Sequence, residues 1–219
     1  MIDIKKLYDN RFTTLERVRK RKLWHILCRH FLQQYIKIDD VILDVGAGQC
    51  EFINNIKGGK KIALDINKNI SQYADSDVII KTSSVKHLKN LFPKDSIDVI
   101  FMSNLLEHLD NKEEIFRLLN EAFHVLKKHG RLLIMQPDIS LVGNSYWDFF
   151  DHKVPLTYPS LVEALLANNF NIKDAKYPFL PYSTKAKYLP LWPPFLSLYL
   201  KFRPLQILFG KQFFVCAQK

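Results

Sequence analysis

Five short apolar runs, each closed by a polar or turn residue, recur between residues 41 and 137. They are VILDVG (41–46), KIALDI (61–66), DVIIKT (77–82), SIDVIFMS (96–103) and RLLIMQP (131–137). Runs of this length, apolar throughout rather than alternating, describe strands buried on both faces. The segments between them carry helical spacing. In 111–128, Ile115, Leu118, Leu119, Ala122, Phe123 and Leu126 fall on one face. Asp110 or Asn111 can cap that helix, Glu113 and Glu114 occupy its first turn, and Lys127, Lys128 and Gly130 mark its end. Strand–helix alternation of this kind predicts a parallel sheet covered by helices on both faces.

The flanks extend this pattern. Residues 11–36 read as a helix, with Phe12, Leu15, Val18, Leu23, Ile26, Leu27, Phe31 and Leu32 mostly three or four apart. The run Arg17, Arg19, Lys20, Arg21, Lys22 inside it is either a solvated face or an anion or membrane contact. After the fifth strand, Thr157 starts a helix with Pro159 in its first turn, ending at Asn168 or Asn169. FNIKDAKYPF (170–179) and KQFFVCAQK (211–219) read as two more strands. Between them, 180–210 holds Pro181, Pro190, Pro193, Pro194 and Pro204, with Tyr182, Tyr188, Trp192, Phe195, Tyr199, Phe202 and Phe209. With neither repeat nor linker, residues 1–219 read as one domain: an N-terminal helix (11–36), a core (38–178), an aromatic insertion (180–210) and a last strand (211–219).

Composition excludes several classes. Hydrophobic residues at 47% and charged residues at 25% describe a folded protein, not a disordered or collagen-like one. Three scattered cysteines, Cys28, Cys50 and Cys216, make neither a disulfide framework nor a CxxC zinc site. MIDIKKLYDN does not read as a signal peptide, and the apolar stretch 188–200 is broken by three prolines. A cytoplasmic protein is expected. Lys+Arg 32 against Asp+Glu 22 leaves +10, which suits a polyanion, an anionic membrane or an acidic substrate, or is simple drift toward surface lysine.

Asp44-Val45-Gly46-Ala47-Gly48 sits where the first strand turns into a helix. Open α/β sheets bind ligands at this edge, and glycine lets the backbone approach them. A dinucleotide fingerprint needs a third glycine at 51, where Glu51 stands. An acidic residue two before the first glycine suits a cationic ligand better than a phosphate. Asp65 ends the second strand, where a carboxylate can accept hydrogen bonds from ribose hydroxyls or cap a helix.

VILDVGAGQCEF, LDIN, SIDVIFMSNLLEHLDN and GRLLIMQP, in this order and spacing, resemble the successive motifs of class I S-adenosylmethionine-dependent methyltransferases. The resemblance covers about residues 38–178, and KQFFVCAQK fits the family's last strand. It implies an α/β, Rossmann-like, seven-stranded sheet, mostly parallel, with helices on both faces and its last strand antiparallel. It implies S-adenosylmethionine as cofactor and S-adenosylhomocysteine as product. Carried over by position, Asp44, Gly46, Ala47 and Gly48 match the loop under the methionyl part, Asp65 the ribose contact and Ile66 the neighbour of the adenine. Ser83 and Ser84 fall where relatives place an adenine contact, and Ser103 and Asn104 lie beside the methionine portion.

A sulfonium methyl is already activated, so the protein supplies orientation and exclusion of water. A phenol or alcohol acceptor also has a proton to lose, and histidine is the residue suited to take it near neutral pH. His108, just after the fourth strand, and His152, in WDFFDH after the fifth, are the candidates; each is equally readable as a structural histidine. Asp138, Asp148 and Asp151 raise the question of a metal, but no carboxylate–amide set is recognisable and none is expected. Cys50 reads as a packing residue.

Segment 180–210 reads as a lid over an apolar acceptor, a membrane patch like that of prenylated-quinone methyltransferases, or a homodimer contact. Tyr182, Tyr188 and Trp192 are the candidate substrate contacts. DHKVPLTYPSLVEALLANNF also resembles methyltransferases of cell-envelope polysaccharides. The expected acceptor is a small molecule, a glycan or a lipid-linked compound, modified at oxygen. An RNA or protein acceptor is the alternative that +10 permits, although SNLLEH replaces the Asn-Pro-Pro-Tyr type motif of amino-group methylation. A non-catalytic nucleotide-binding protein is the third reading.

Overall fold

The computed structural model describes residues 14–182 and 193–219. Helix α1 (Thr14–His30) leads through a 3-10 turn (Leu32–Tyr35) into β1 (Val41–Val45). There follow β2 (Lys60–Asp65), β3 (Val78–Thr82), the one-turn α2 (Leu88–Leu91), β4 (Ile97–Ser103), α3 (Lys112–Val125) and β5 (Leu126–Pro137). Then come a short α4 (Ile139–Val142), α5 (Tyr158–Ala167), β6 (Asn171–Lys176), α6 (Pro193–Lys201), α7 (Arg203–Phe209) and β7 (Gln212–Gln218). The seven strands form one sheet in the order β3-β2-β1-β4-β5-β7-β6. The first five run parallel, and β7 is antiparallel to both β5 and β6.

Successive residues of each strand face opposite layers. Ile42, Val99 and Phe101 join Trp24, Leu27 and Cys28 of α1, and Phe31 just after it, in one core. Leu43, Val45, Ile100 and Met102 join α3 and α5 residues Ile115, Leu118, Leu161 and Leu165 in the other. Burial on both faces is why these strands read as unbroken apolar runs. Asn111 caps α3 as expected, accepting from the Glu114 N–H at 2.9 Å. Thr157 and Ser160 form a capping box at the start of α5.

Two elements differ from expectation. The helix read over 11–36 ends at His30, with residues 11–13 outside the described range. Strand β5 begins at Leu126, not at Arg131, because Leu126 already pairs with Ile97 across an irregularity in the ladder. Gly130 permits this: a Cβ there would stand 2.8 Å from the Lys127 carbonyl oxygen. Among the described residues of 180–210, two prolines mark helix starts. Pro193 opens α6, and Pro204 sits in the first turn of α7. Leu196, Tyr199 and Leu200 of α6 pack into the α1-side core.

Candidate active site

The carboxyl ends of β2, β1 and β4 lie side by side, and three segments meet there. The loop after β1 turns through left-handed backbone at Gly46 (φ 74°) and Gly48 (φ 56°). The Gly46 and Ala47 N–H groups both donate to the Leu64 carbonyl, at 2.8 and 3.2 Å. A Cβ on Gly46 would lie 2.8 Å from Leu105 Cδ1, so the glycine is what lets the loop tuck under the chain leaving β4. Nothing lies within 4 Å of the Cβ position at Gly48, which leaves an open backbone surface for a ligand.

Asp65 fixes this loop from β2. Its Oδ2 accepts from the Gly48 N–H and its Oδ1 from the Asn67 N–H, each at 2.8 Å. Each carboxylate oxygen keeps further acceptor capacity, enough for ribose hydroxyls. Asp44 is buried at the end of β1, and its carboxyl is held well above the usual range, first by burial and then by the charges of Glu51 and Asp65. Carboxyl groups that raise a neighbour's proton affinity in this way also favour a cation near them. The same surroundings push the buried Cys50 thiol up to about 12, so it stays protonated. Glu51 is tied to α1 by Lys20 Nζ at 2.8 Å.

Ser103, the last residue of β4, has a buried hydroxyl with no hydrogen-bond partner among the described residues. Asn104 follows in left-handed backbone (φ 47°), its N–H on the Met135 carbonyl at 3.0 Å. The Ser83 N–H donates to the Asp65 carbonyl, and the Ser84 hydroxyl accepts from the Lys86 N–H at 3.2 Å. Ile66 is exposed, an apolar side chain without protein cover. This donor and acceptor set is compatible with S-adenosylmethionine: it offers carboxyl groups that can face positive charge, acceptor capacity at Asp65 for hydroxyls, and an orphan hydroxyl at the end of β4.

A second cluster stands just beyond Leu105. Glu107 and His108, in a 3-10 turn after β4, meet His152, and one ligating atom of each lies within 4.8 Å of the others. The Glu107 carbonyl accepts from the Lys153 and Val154 N–H groups at 2.8 and 3.1 Å, clamping the two segments together. Glu107 Oε2 accepts from Gln136 Nε2 at 2.7 Å. His108 Nδ1 stands 3.1 Å from the Asp151 carbonyl and 3.4 Å from its carboxylate. Phe149 stacks on His152 with ring centroids 5.0 Å apart, and Tyr146 lies at 4.6 Å. Tyr182 meets Phe149 edge-on at 5.6 Å. Tyr188 and Trp192 lie outside the described residues.

Both candidate histidines thus come together, with ring centroids 5.1 Å apart. Asp138, Asp148 and Asp151 do not assemble. Asp138 is fully buried and spends its oxygens on the Ser140 and Tyr158 N–H groups, while Asp151 backs His108. Sequence reasoning gave no role to Glu107 or Gln136. The available signal was a glutamate directly before His108, at a position that must be buried to follow β4.

The fold and this loop resemble those of class I S-adenosylmethionine-dependent methyltransferases. Residues 43–134 match the family described as a methyltransferase domain. A SAM-dependent methyltransferase structure from Archaeoglobus fulgidus covers 91% of this chain and 94% of its own, at 22% identity and a TM-score of 0.67. One from Mesorhizobium loti covers 86% and 95%, at 15% identity and a TM-score of 0.62. At these identities the likeness is one of fold. An uncharacterized protein of Methanocaldococcus jannaschii is 29% identical over 130 residues, 58% of this chain and 49% of the relative. The chain spans about half the length of that curated relative.

Proposed function

We propose that the protein methylates a hydroxyl of a small-molecule, glycan or lipid-linked acceptor, using S-adenosylmethionine held by Asp44, Gly46, Ala47, Gly48, Asp65, Ile66, Ser83, Ser84, Ser103 and Asn104. The observation that carries this is the Glu107–His108–His152 cluster in the turn that follows β4, two residues past Leu105, whose side chain lies against Gly46. When bound, the cofactor supplies a methyl carbon open to in-line displacement, with the C–S electron pair leaving on sulfur. The chain's own work is to orient and to dry the site. The Asp65 carboxylate fixes the nucleoside end, and the open backbone at Gly48 lies under the methionyl part. The buried Asp44 neutralises positive charge before transfer. The acceptor's oxygen meets His108 and His152, the groups placed to assist loss of its proton. Tyr146, Phe149 and Tyr182 wall the cluster and exclude water.

Exposed Leu198 on α6, Phe202 between the helices, and Ile207, Leu208 and Phe209 on α7, beside Lys201 and Arg203, favour a lipid-linked acceptor. Among the described residues no helix is long and apolar enough to cross a membrane. The test uses tritium-labelled methyl donor with cell lipid, glycan, RNA and protein fractions. Label is expected in lipid or glycan as a methyl ether. Label confined to RNA or protein overturns the acceptor class.

A further inference from the structure

We propose that Glu107, His108 and His152 form a binding site for one divalent transition-metal ion beside the methyl-transfer centre. The ligand atoms already lie within 4.8 Å of one another. Three ligands bonded at about 2.0–2.2 Å to one ion stand about 3.3–3.8 Å from one another, so closure from 4.8 Å needs side-chain shifts of about an ångström. The surroundings are those of a built site. Metal-ligating imidazoles hand their second ring N–H to a carbonyl or carboxylate, and ligating carboxylates are themselves hydrogen-bonded. His108 Nδ1 faces the Asp151 carbonyl and carboxylate, which leaves Nε2 for an ion. Gln136 Nε2 holds one oxygen of Glu107 and leaves the other.

Burial argues the same way. Glu107 is 1% exposed and Gln136 is 0% exposed. The Gln136 Oε1 atom has no partner among the described residues. A buried carboxyl in its charged form is stabilised by a cation beside it. The ligands come from two segments far apart in sequence, which is why a search for clustered carboxylates expected no ion. Backbone hydrogen bonds from Lys153 and Val154 to the Glu107 carbonyl lock those segments together.

Two imidazoles and one carboxylate suit zinc, iron, manganese or cobalt better than magnesium or calcium. Three protein ligands leave a coordination position open, as catalytic sites do. An ion here would act as a Lewis acid on the acceptor hydroxyl. The proton would leave to water, the oxygen's electron pair would form the C–O bond, and the C–S pair would remain on sulfur. With the ion bound, the histidines serve as its ligands in place of assisting the proton's loss. This role of the ion rests on the methyl-transfer reading, but its binding does not.

The experiment strips the full chain with a chelator, then titrates Zn2+ by calorimetry and Co2+ by visible absorption. One ion per chain is expected, with a ligand-field band for cobalt. His108→Ala, His152→Ala and Glu107→Gln should each weaken affinity at least about tenfold, and Gln136→Leu about 10- to 100-fold. His30→Ala and His124→Ala should bind as the parent does. S-adenosylhomocysteine titration reports whether each variant is folded. Absence of both zinc heat and a cobalt band in the parent overturns the proposal, as does unchanged affinity in folded ligand variants. A parent that binds the ion but not S-adenosylhomocysteine instead overturns the methyl-transfer reading and leaves the ion site standing.

Discussion

Asp44 and Asp65 end neighbouring strands, yet they do different work. Asp65 accepts two backbone N–H groups that shape the loop and offers its remaining lone pairs to a ligand. Asp65→Ala should weaken S-adenosylhomocysteine binding by about 1.5–3 kcal/mol, the scale of hydrogen bonds to a charged group, as read by calorimetry. Asp44 is a charge detector. Its pKa is raised by burial first, so the folded chain keeps that proton at pH values where the unfolded chain has released it. Burying it therefore costs stability increasingly as pH rises from the ordinary carboxylate range toward the raised value. A cationic ligand reverses the balance. S-adenosylmethionine affinity should rise with pH across that window and fall as Asp44 takes up its proton, and Asp44→Asn should flatten the profile. Equal slopes in parent and variant would remove Asp44 from the cofactor seat. The glycines and both carboxylates were legible in the sequence because loop chemistry is local. Glu107 was not, because its importance comes from residues 136 and 152, which only the fold brings near.

Elements were read well where one period dominated. The strands between 41 and 103 fell within a residue or so of their observed bounds, since burial on both faces leaves few polar interruptions. The start of β5 was missed because Lys127, Lys128 and Gly130 imitate a helix end, while the ladder to Ile97 overrides that local signal. The aromatic segment divides its residues between roles. Tyr182 meets Phe149, the ring stacked on His152, whereas Tyr199 of α6 is fully buried and donates to the Phe179 carbonyl at 2.6 Å. That bond staples α6 to the chain leaving β6. Tyr199→Phe keeps the ring and strands the carbonyl, so urea denaturation should show a loss of about 1–3 kcal/mol. An unchanged midpoint would mean that packing alone holds the helix.

At the scale of the whole molecule, a net charge of +10 and the exposed apolar side chains of α6 and α7 act together. Cosedimentation with phosphatidylserine vesicles should be measurable at low salt and weaken as salt screens the lysines and arginines. Ile207→Glu with Leu208→Glu should abolish it while leaving S-adenosylhomocysteine affinity unaltered. Binding that survives both changes would point to another face. The strand order carries a different consequence. β7 comes last in the chain, yet it lies between β5 and β6. During translation the parallel half can zip together as it emerges, but β6 has no docking edge until residue 218 clears the ribosome. For that interval β5 presents a bare apolar border, Leu132 to Met135, to whatever is nearby. A nascent chain built this way depends on prompt completion or on a chaperone, and premature stops just before residue 212 should yield aggregates rather than a smaller soluble domain.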